Sequence, residues 1–221
     1  MSRPLGLLLI PAAYLYASVN WAIHITRWVG GRDIRQLGTG NPGTANVARN
    51  LGRGWGALVY FLDISKSLLP LAVGGRWLFP GPGLWDYGAL LLTGVAAIAG
   101  HCRPVYYGFR GGGGIATSMG VYLFFVPVEF LASVLLSFGA VMGFRRRVRF
   151  PLGQWTPIMF VTITPFLTLA LDRAVRVPLW GRASLGGHKW WEVAGVFVIS
   201  FFILGMNWQF MARKLDRSAQ A

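Results

Sequence analysis

Residues 115–144 read IATSMGVYLFFVPVEFLASVLLSFGAVMGF, an apolar stretch in which Glu129 is the only charged side chain. The stretch is longer than the roughly 20 residues that cross the hydrocarbon layer of a bilayer as one helix. Pro127 has no amide hydrogen to donate and clashes with the preceding helical turn, so it predicts a break. We therefore expect two membrane helices, joined by a tight turn near Pro127 and Glu129.

The composition of the whole chain also indicates a membrane protein. Of 221 residues, 54% are hydrophobic and 13% are charged, whereas soluble domains have roughly 25% charged residues. So few charges could not cover the surface of a soluble domain of this size. The soluble classes are therefore excluded.

Five further apolar runs are long enough to span a membrane. They cover about residues 5–25, 55–79, 84–100, 155–171 and 193–211. Tryptophans at the end of the first run resemble an interfacial belt, which favours a membrane span over a cleaved signal peptide. We expect an all-α integral membrane protein with a seven-transmembrane-helix bundle in one domain, 1–221. Six helices is the alternative, if Pro127 only kinks one long helix.

The 21 Lys and Arg, against 7 Asp and Glu, predict the orientation of the bundle. With seven helices and the N-terminus outside, 14 positive residues lie on cytoplasmic segments and 6 on outer segments, and Lys66 lies within a span. Cytoplasmic loops carry the excess of Lys and Arg, so we expect a cytoplasmic C-terminus. Six helices would place the arginine-rich segment 145–149 on the minority side.

The same charges and the few metal-binding residues exclude other classes. Basic residues lie between apolar runs, not as a stripe on a polar body, so they predict contacts with membrane lipids or phosphate and no nucleic acid. The single cysteine, Cys102, excludes a disulfide framework and a cysteine-based zinc site. With three His, seven acids and no His-Glu-x-x-His pattern, we expect no metal.

The first polar string, GTGNPGTANVARN, occupies residues 38–50. Its glycines allow backbone N–H groups to turn toward an anion, and hydroxyl and amide side chains add donors. Arg49 can hold a phosphate through two parallel hydrogen bonds. The string is denser in such groups than a polar turn requires, so it predicts an anion site. The candidate residues are Gly38, Thr39, Gly40, Asn41, Asn46 and Arg49.

The second polar string places Asp63 and Lys66 three residues apart within a predicted span, hence on one face of a helix. Charged residues at membrane depth are costly and usually face a bundle interior or a wet cavity. Two alternatives remain open: an ion pair that holds helices together, or a role at the mouth of a polar site.

The third string runs from His101 to Thr117 and contains four consecutive glycines directly before an apolar run. Open N–H groups at a helix N-terminus favour an anion, although a flexible hinge is the alternative. No Gly-Lys-Ser/Thr follows, so nucleotide hydrolysis has no support. The candidate residues are His101, Arg110, Gly111, Gly112, Gly113 and Gly114.

All three strings lie toward the cytoplasmic face, which predicts a substrate with a phosphate head and an apolar tail. They resemble the integral-membrane acyl-phosphate:glycerol-3-phosphate acyltransferases of bacteria, the PlsY family. Its signature is Gly-Ser-Gly-Asn-x-Gly-Ala-Thr-Asn-Val-x-Arg, then Asp-x-x-Lys-Gly, then Gly-His-x-x-Pro with Gly-Gly-Lys-Gly-x-Ala-Thr. The resemblance extends from about residue 35 to about residue 120.

The resemblance implies seven helices in the bacterial plasma (inner) membrane and acyl transfer from acyl phosphate to the 1-position of glycerol 3-phosphate. It implies no coenzyme A, no metal and no other cofactor. Thr39, Asn41 and His101 would be catalytic. The substrate's phosphate would be bound by Gly38, Gly40, Asn46, Arg49, Lys66, Arg110, Gly111, Gly112, Gly113 and Gly114.

Several positions depart from the family pattern. Thr39 replaces a serine, Ser67 replaces a glycine, and Gly113 replaces the lysine of Gly-Gly-Lys-Gly. Arg110 is the available substitute for that charge, although lysine and arginine bind phosphate differently. In the last helix, Leu204 stands where the family has histidine, three residues before Asn207.

These departures leave a second hypothesis open. The chain would then be a catalytically degenerate paralogue, acting as a structural or lipid-binding subunit of a membrane complex with partner proteins. A transporter is a weaker hypothesis because no inverted repeat supports it.

Overall fold

The computed structural model describes residues 3–144, 152–174, 177–178, 184–185 and 187–208. The regular secondary structure of these residues is helical except for two antiparallel two-residue strands, β1 (Val177–Pro178) and β2 (Ser184–Leu185). The chain forms two compact units, Met1–Val121 and Tyr122–Ala221. The arginine-rich segment 145–149 and the basic residues after position 208 lie outside the described residues.

The first unit consists of helices joined by short connections. They are α1 (Arg3–Gly6), α2 (Leu9–Ala17), α3 (Trp21–Gly30), α4 (Thr44–Leu51), α5 (Arg53–Val73), α6 (Leu84–Cys102) and the start of α7 (Ile115–Phe125). Two 3₁₀ turns, Ile34–Gln36 and Val105–Tyr107, lie in the connections that carry the polar strings, and a π-helical turn, Gly74–Leu78, extends α5.

The second unit contains the end of α7 and three further helices, α8 (Pro127–Phe144), α9 (Leu152–Ala174) and α10 (Trp190–Met206). The helix is interrupted where Pro127 predicts it, because α7 ends at Phe125 and Pro127 begins α8, but the tight turn and the count of seven helices stay predictions. One residue, Val126, separates the two helices. Its N–H donates to the carbonyl of Tyr122 at 2.8 Å, and its carbonyl accepts from the N–H of Phe130 at 2.9 Å.

Four helical stretches among the described residues are long and apolar enough to cross a membrane: Pro4–Gly30, Arg53–Leu78, Leu84–Tyr107 and Trp155–Arg173. Three shorter helical stretches are also apolar: Ile115–Phe125, Pro127–Gly143 and Trp190–Met206. Within the described residues, each predicted apolar run therefore falls on helices, although the ends shift by a few residues; residues 209–211 of the last run lie outside the described part.

The first predicted span, residues 5–25, is not one continuous helix. The chain leaves α2 at Ala17 and enters α3 at Trp21. Asn20 caps α3, because its side-chain oxygen accepts from the N–H of Ile23 at 3.1 Å, and its Nδ2 donates to the carbonyl of Pro42 at 3.3 Å. The interruption thus connects this stretch to the first polar string.

Small residues bring α2 and α6 together. Ala13, Ala17 and Ala97 form a buried cluster between them. The Cα of Gly100 lies so close to the backbone of Tyr14 that an added Cβ would meet its carbonyl oxygen. Because these contacts join backbone to backbone, neither helix can move aside without losing the packing.

In the second unit, the core is aromatic and contains one buried acidic group. The Tyr122 hydroxyl is 2.7 Å from that of Ser200, and the Tyr122 ring stacks on Phe130 with centroids 5.6 Å apart. Glu129 is fully buried, and its Oε1 accepts from Nε2 of His188 at 3.0 Å.

We predict that Gly100→Ala lowers the free energy of unfolding by about 1–3 kcal/mol, because the new methyl group overlaps the backbone of Tyr14. Thermal unfolding in detergent measures the change. Gly139→Ala in α8 is the matched control, since its Cβ meets no neighbour. Equal melting temperatures for the two variants would show that α2 and α6 are not packed this closely.

We also predict a pH dependence of stability from His188. Its burial opposes the charged form, but the hydrogen bonds to Glu129 and Glu192 outweigh burial and raise the pKa of His188 from 6.5 to about 9. The stabilisation is therefore complete below pH 6.5 and is lost as pH rises through 9. Between these values the wild type should lose more thermal stability than His188→Gln. Parallel curves would contradict the pairing.

Candidate functional site

The second polar string forms a buried ion pair that also includes His101. Nζ of Lys66 lies 2.7 Å from Oδ1 of Asp63 and 3.2 Å from Nδ1 of His101. The Lys66 side chain is fully buried, and those of Asp63 and His101 are 3% and 4% exposed. Of the two alternatives left open by the sequence, the structure shows the ion pair.

This ion pair fixes the orientation of the His101 ring. Nδ1 of His101 also lies 3.5 Å from Oδ1 of Asp63. Because an ammonium group can only donate, we infer that Nδ1 accepts from the nearer Lys66 and that the ring proton lies on Nε2. Nε2 faces Gly112 so closely that an added Cβ there would overlap it. The ammonium of Lys66 contacts Asp63 and His101, so Lys66 helps to orient His101. Phosphate binding by Lys66 stays a prediction.

The four glycines Gly111, Gly112, Gly113 and Gly114, which we call the glycine string, fold back over His101. The N–H of Gly111 donates to the carbonyl of Cys102, and that of Gly112 donates to the carbonyl of His101, both at 3.2 Å. Side chains at either glycine would overlap the chain around His101, so close approach explains why these two positions are glycine. The structure thus brings His101 and the glycine string together.

Ser67, where the family pattern has glycine, connects α5 to the start of α7, directly after the glycine string. Its hydroxyl donates to the carbonyl of Thr117 at 2.6 Å. The Cα of Gly120 packs directly against the same hydroxyl and the carbonyl of Ile64. The residue that follows Lys66 therefore holds the start of α7 beside the ion pair.

The first polar string is organised from inside by Asn46, which is 1% exposed. Its Nδ2 donates to the carbonyls of Ile34 at 3.2 Å and Leu37 at 2.9 Å. Its Oδ1 accepts from the N–H of Thr39 at 3.1 Å and from Nδ2 of Asn50 at 3.1 Å. These protein contacts use both ends of the Asn46 amide and give it a structural role, whereas its predicted substrate-binding role stays a prediction.

Backbone conformation explains the glycines of this string. Gly38 and Gly40 have φ values of 54° and 70°, in the left-handed region that side chains rarely adopt. A Cβ at Gly38 would also overlap the amides of Asn46 and Asn50. The glycines thus permit a tight loop around the buried amide of Asn46.

The loop presents few polar side chains outward. Thr39 and Arg49 are exposed and Asn41 is half-buried, as a binding role requires. Arg110 in the third string is also exposed. Sequence reasoning missed Thr44, the first residue of α4, whose buried hydroxyl has no hydrogen-bond partner among the described residues. Its position directly after Gly43, at a helix start, was the available signal.

Charges beside the first string are held by Asp33. Its carboxylate accepts from Arg35 at 2.8 Å and from Arg27 at 2.7 Å. The hydrogen bonds from the Arg35 side chain, followed by those from its backbone and from Arg27, hold the pKa of Asp33 well below its usual range. The carboxylate therefore stays charged at neutral pH and keeps both arginines in place.

The arrangement suits the binding of a phosphate-bearing substrate. It offers exposed arginines and an exposed threonine hydroxyl, and it holds His101 beside the glycine string. Among residues 3–144, 152–174 and the shorter described segments, no group of three or more His, Cys, Asp or Glu is placed to hold a metal.

We predict that Lys66→Met lowers the free energy of unfolding by about 3–5 kcal/mol, because it leaves the buried carboxylate of Asp63 without its cation. The double variant Asp63→Leu/Lys66→Met should recover most of this loss, since it removes both charges. Denaturant unfolding in detergent gives the values, with the exposed Arg32→Met as a control that changes little. A double variant no more stable than Lys66→Met would contradict the pairing.

Comparison with known proteins identifies the family. The family model for glycerol-3-phosphate acyltransferase matches residues 7–214. The glycerol-3-phosphate acyltransferase of Anaeromyxobacter sp. (strain Fw109-5) is 40% identical over 142 residues, 64% of this chain and 68% of that protein. That of Halalkalibacterium halodurans is 37% identical over 175 residues, 79% of this chain and 80% of that protein.

Solved structures agree with this result. The crystal structure of PlsY (YgiH), an integral membrane glycerol 3-phosphate acyltransferase, in its glycerol 3-phosphate form has a TM-score of 0.73 at 28% identity. The similarity covers 96% of this chain and 93% of that one. The lysophosphatidic acid form has a TM-score of 0.69. The protein described here is a multi-pass helical membrane protein, and its chain belongs to the glycerol-3-phosphate acyltransferase family.

Proposed function

We propose that the protein transfers an acyl group from acyl phosphate to the 1-position of glycerol 3-phosphate during phospholipid synthesis. Family membership supplies the reaction class. The observation that carries the proposal is the contact of His101 with Gly111 and Gly112 beside the buried Lys66. The contact of Lys66 with His101, between the second and third strings, and the packing of His101 on the glycines of its own string support one polar site.

We place this site at the cytoplasmic face of a bacterial plasma (inner) membrane. Four long and three shorter apolar helices support seven crossings, with the N-terminus outside and the C-terminus inside. The excess of Lys and Arg on the segments that would then face the cytoplasm supports the same orientation. A membrane site also suits the donor, because its acyl chain can remain among lipid tails while its phosphate meets the loops.

The phosphate groups of the two substrates are held by the outward-facing groups of the loops. Arg49 supplies a bidentate guanidinium, and Thr39 and Asn41 add donors from the first string. Beside the glycine string, the exposed side chain of Arg110 serves the second phosphate. Arg110 thereby provides the positive charge that the family pattern places at position 113.

Acyl transfer needs little chemistry from the protein, because the acyl phosphate is already activated. The 1-hydroxyl oxygen of glycerol 3-phosphate attacks the acyl carbonyl carbon, and the bond from that carbon to the phosphate oxygen breaks. Phosphate leaves with the electron pair and takes up the hydroxyl proton. Positioning and neutralisation of phosphate charge supply the acceleration, and His101 stays the predicted catalytic histidine beside the glycine string. No cofactor or metal enters these steps.

The test uses the purified full chain in lipid nanodiscs with palmitoyl phosphate. We predict phosphate release only when glycerol 3-phosphate is present, with lysophosphatidic acid as the product by mass spectrometry. Arg49→Ala should lower kcat/KM by about 100-fold, the order of magnitude expected for a lost charge-assisted phosphate contact. Arg53→Ala, an exposed arginine at the start of α5, is the matched control and should keep its activity.

Two results would contradict this proposal. One is that the wild type shows no turnover and that Gly113→Lys, which restores the charge of the family pattern, shows none either. The other is an equal loss of activity in Arg49→Ala and Arg53→Ala, since it would show a general charge effect on the protein.

A further inference from the structure

Tyr107 contacts two elements that lie far from it in sequence. It belongs to the 3₁₀ turn between His101 and the glycine string. Its hydroxyl is 2.7 Å from Nε2 of His24 on α3, and the guanidinium of Arg35 lies over its ring, 5.8 Å from the centroid. We call His24, Arg35 and Tyr107 together the Tyr107 clamp.

On one side, the clamp is anchored to the first polar string. Arg35 is itself held, because Asp33 accepts from both its Nε and its NH2 nitrogen. The carbonyl of Arg35 lies close against Gly40, 3.2 Å from where a Cβ would stand. The Tyr107 ring also packs on the hydrophobic cluster beneath this string, which includes Ile34 and Val47. A shift of Tyr107 would therefore disturb the first string.

On the other side, the clamp leads directly into the glycine string. The carbonyl of Tyr107 accepts from the N–H of Arg110 at 3.3 Å. Between them, Gly108 and Phe109 both have a φ of 60°. Phe109 is the one non-glycine residue with a positive φ in the described part of the chain. A side chain keeps this conformation only where the structure on both sides holds it there.

Both anchors of Phe109 are visible. Tyr107 fixes the chain before it, and the bonds from Gly111 and Gly112 to the backbone at Cys102 and His101 fix the chain after it. The N–H of Phe109 also donates to the carbonyl of Pro104 at 3.0 Å, so Tyr107 is one of several contacts that hold the chain before the glycine string.

We propose that Tyr107 is a positioning residue that couples the two phosphate-binding strings. Its bond to His24 and its contact with Arg35 hold the glycine string in register with the first string, so that both engage the phosphate substrates together. This inference rests on the proposed function, because the two strings are taken to serve one reaction. The coupling of the two strings can be tested by a measurement that does not depend on enzyme activity.

The kinetic test removes only the hydroxyl. Tyr107→Phe keeps the ring over which Arg35 lies and loses the bond to His24. We expect the KM for glycerol 3-phosphate to rise about three- to tenfold, the range for one lost hydrogen bond, with kcat changed less than about twofold. Tyr106→Phe is the matched control, since Tyr106 is the exposed neighbour, and it should match the wild type.

Two further variants separate positioning from general damage. His24→Leu should reproduce the KM of Tyr107→Phe, and the double variant should be no worse than either, since one bond is lost in each case. Phe109→Gly relieves the strained φ, so it should bring the KM of Tyr107→Phe back toward the wild-type value. Additive losses, or no rescue by Phe109→Gly, would overturn the proposal.

Hydrogen–deuterium exchange in nanodiscs tests the coupling independently of activity. In Tyr107→Phe, exchange should become faster in residues 108–114 and also in residues 38–41, with no change in Tyr106→Phe. Faster exchange in one string alone, or in neither, would overturn the proposal. If the wild type shows no turnover while both strings respond, the proposed function fails and the coupling stands.

Discussion

The cost of placing a lysine within the membrane governs the arrangement of the first unit. A buried ammonium requires partners, and Lys66 finds them in Asp63 one helical turn before it and in His101 on α6. Because these contacts use Nδ1 of His101, the opposite edge of the ring must face the glycine string. One electrostatic requirement thus fixes the packing of α5 on α6, the state of the histidine and the path of the chain that follows it.

Close backbone approach is the second constraint, and it explains much of the glycine content. Gly100 lies against the backbone of α2, Gly112 against the His101 ring, and Gly38 against the amide of Asn46. At each of these positions a methyl group would separate elements that the site needs together. The same tight packing buries the amide of Asn46, whereas the side chains of Thr39, Arg49 and Arg110 stay exposed.

Hydropathy was sufficient to predict the helices, because apolar length is a local property, and Pro127 predicted the break before α8 for the same reason. The spacing of Asp63 and Lys66 predicted their shared helical face. The inward role of Asn46 was not predictable, since a loop amide can face solvent or backbone equally well. The interruption at Asn20 depends on Pro42, and the clamp joins residues 83 positions apart; neither contact leaves a local pattern.

The tautomer of His101 is the property that most directly links the buried ion pair to the glycine string. The chain has only three histidines, so ¹⁵N-histidine spectra of the protein in nanodiscs can be assigned by comparison with His24→Gln and His188→Gln. We predict that His101 carries its proton on Nε2, with Nδ1 unprotonated and accepting from Lys66, and that this signature disappears in Lys66→Met. A proton on Nδ1 in the wild type would contradict the account, because Lys66 could not then orient the ring toward the glycine string.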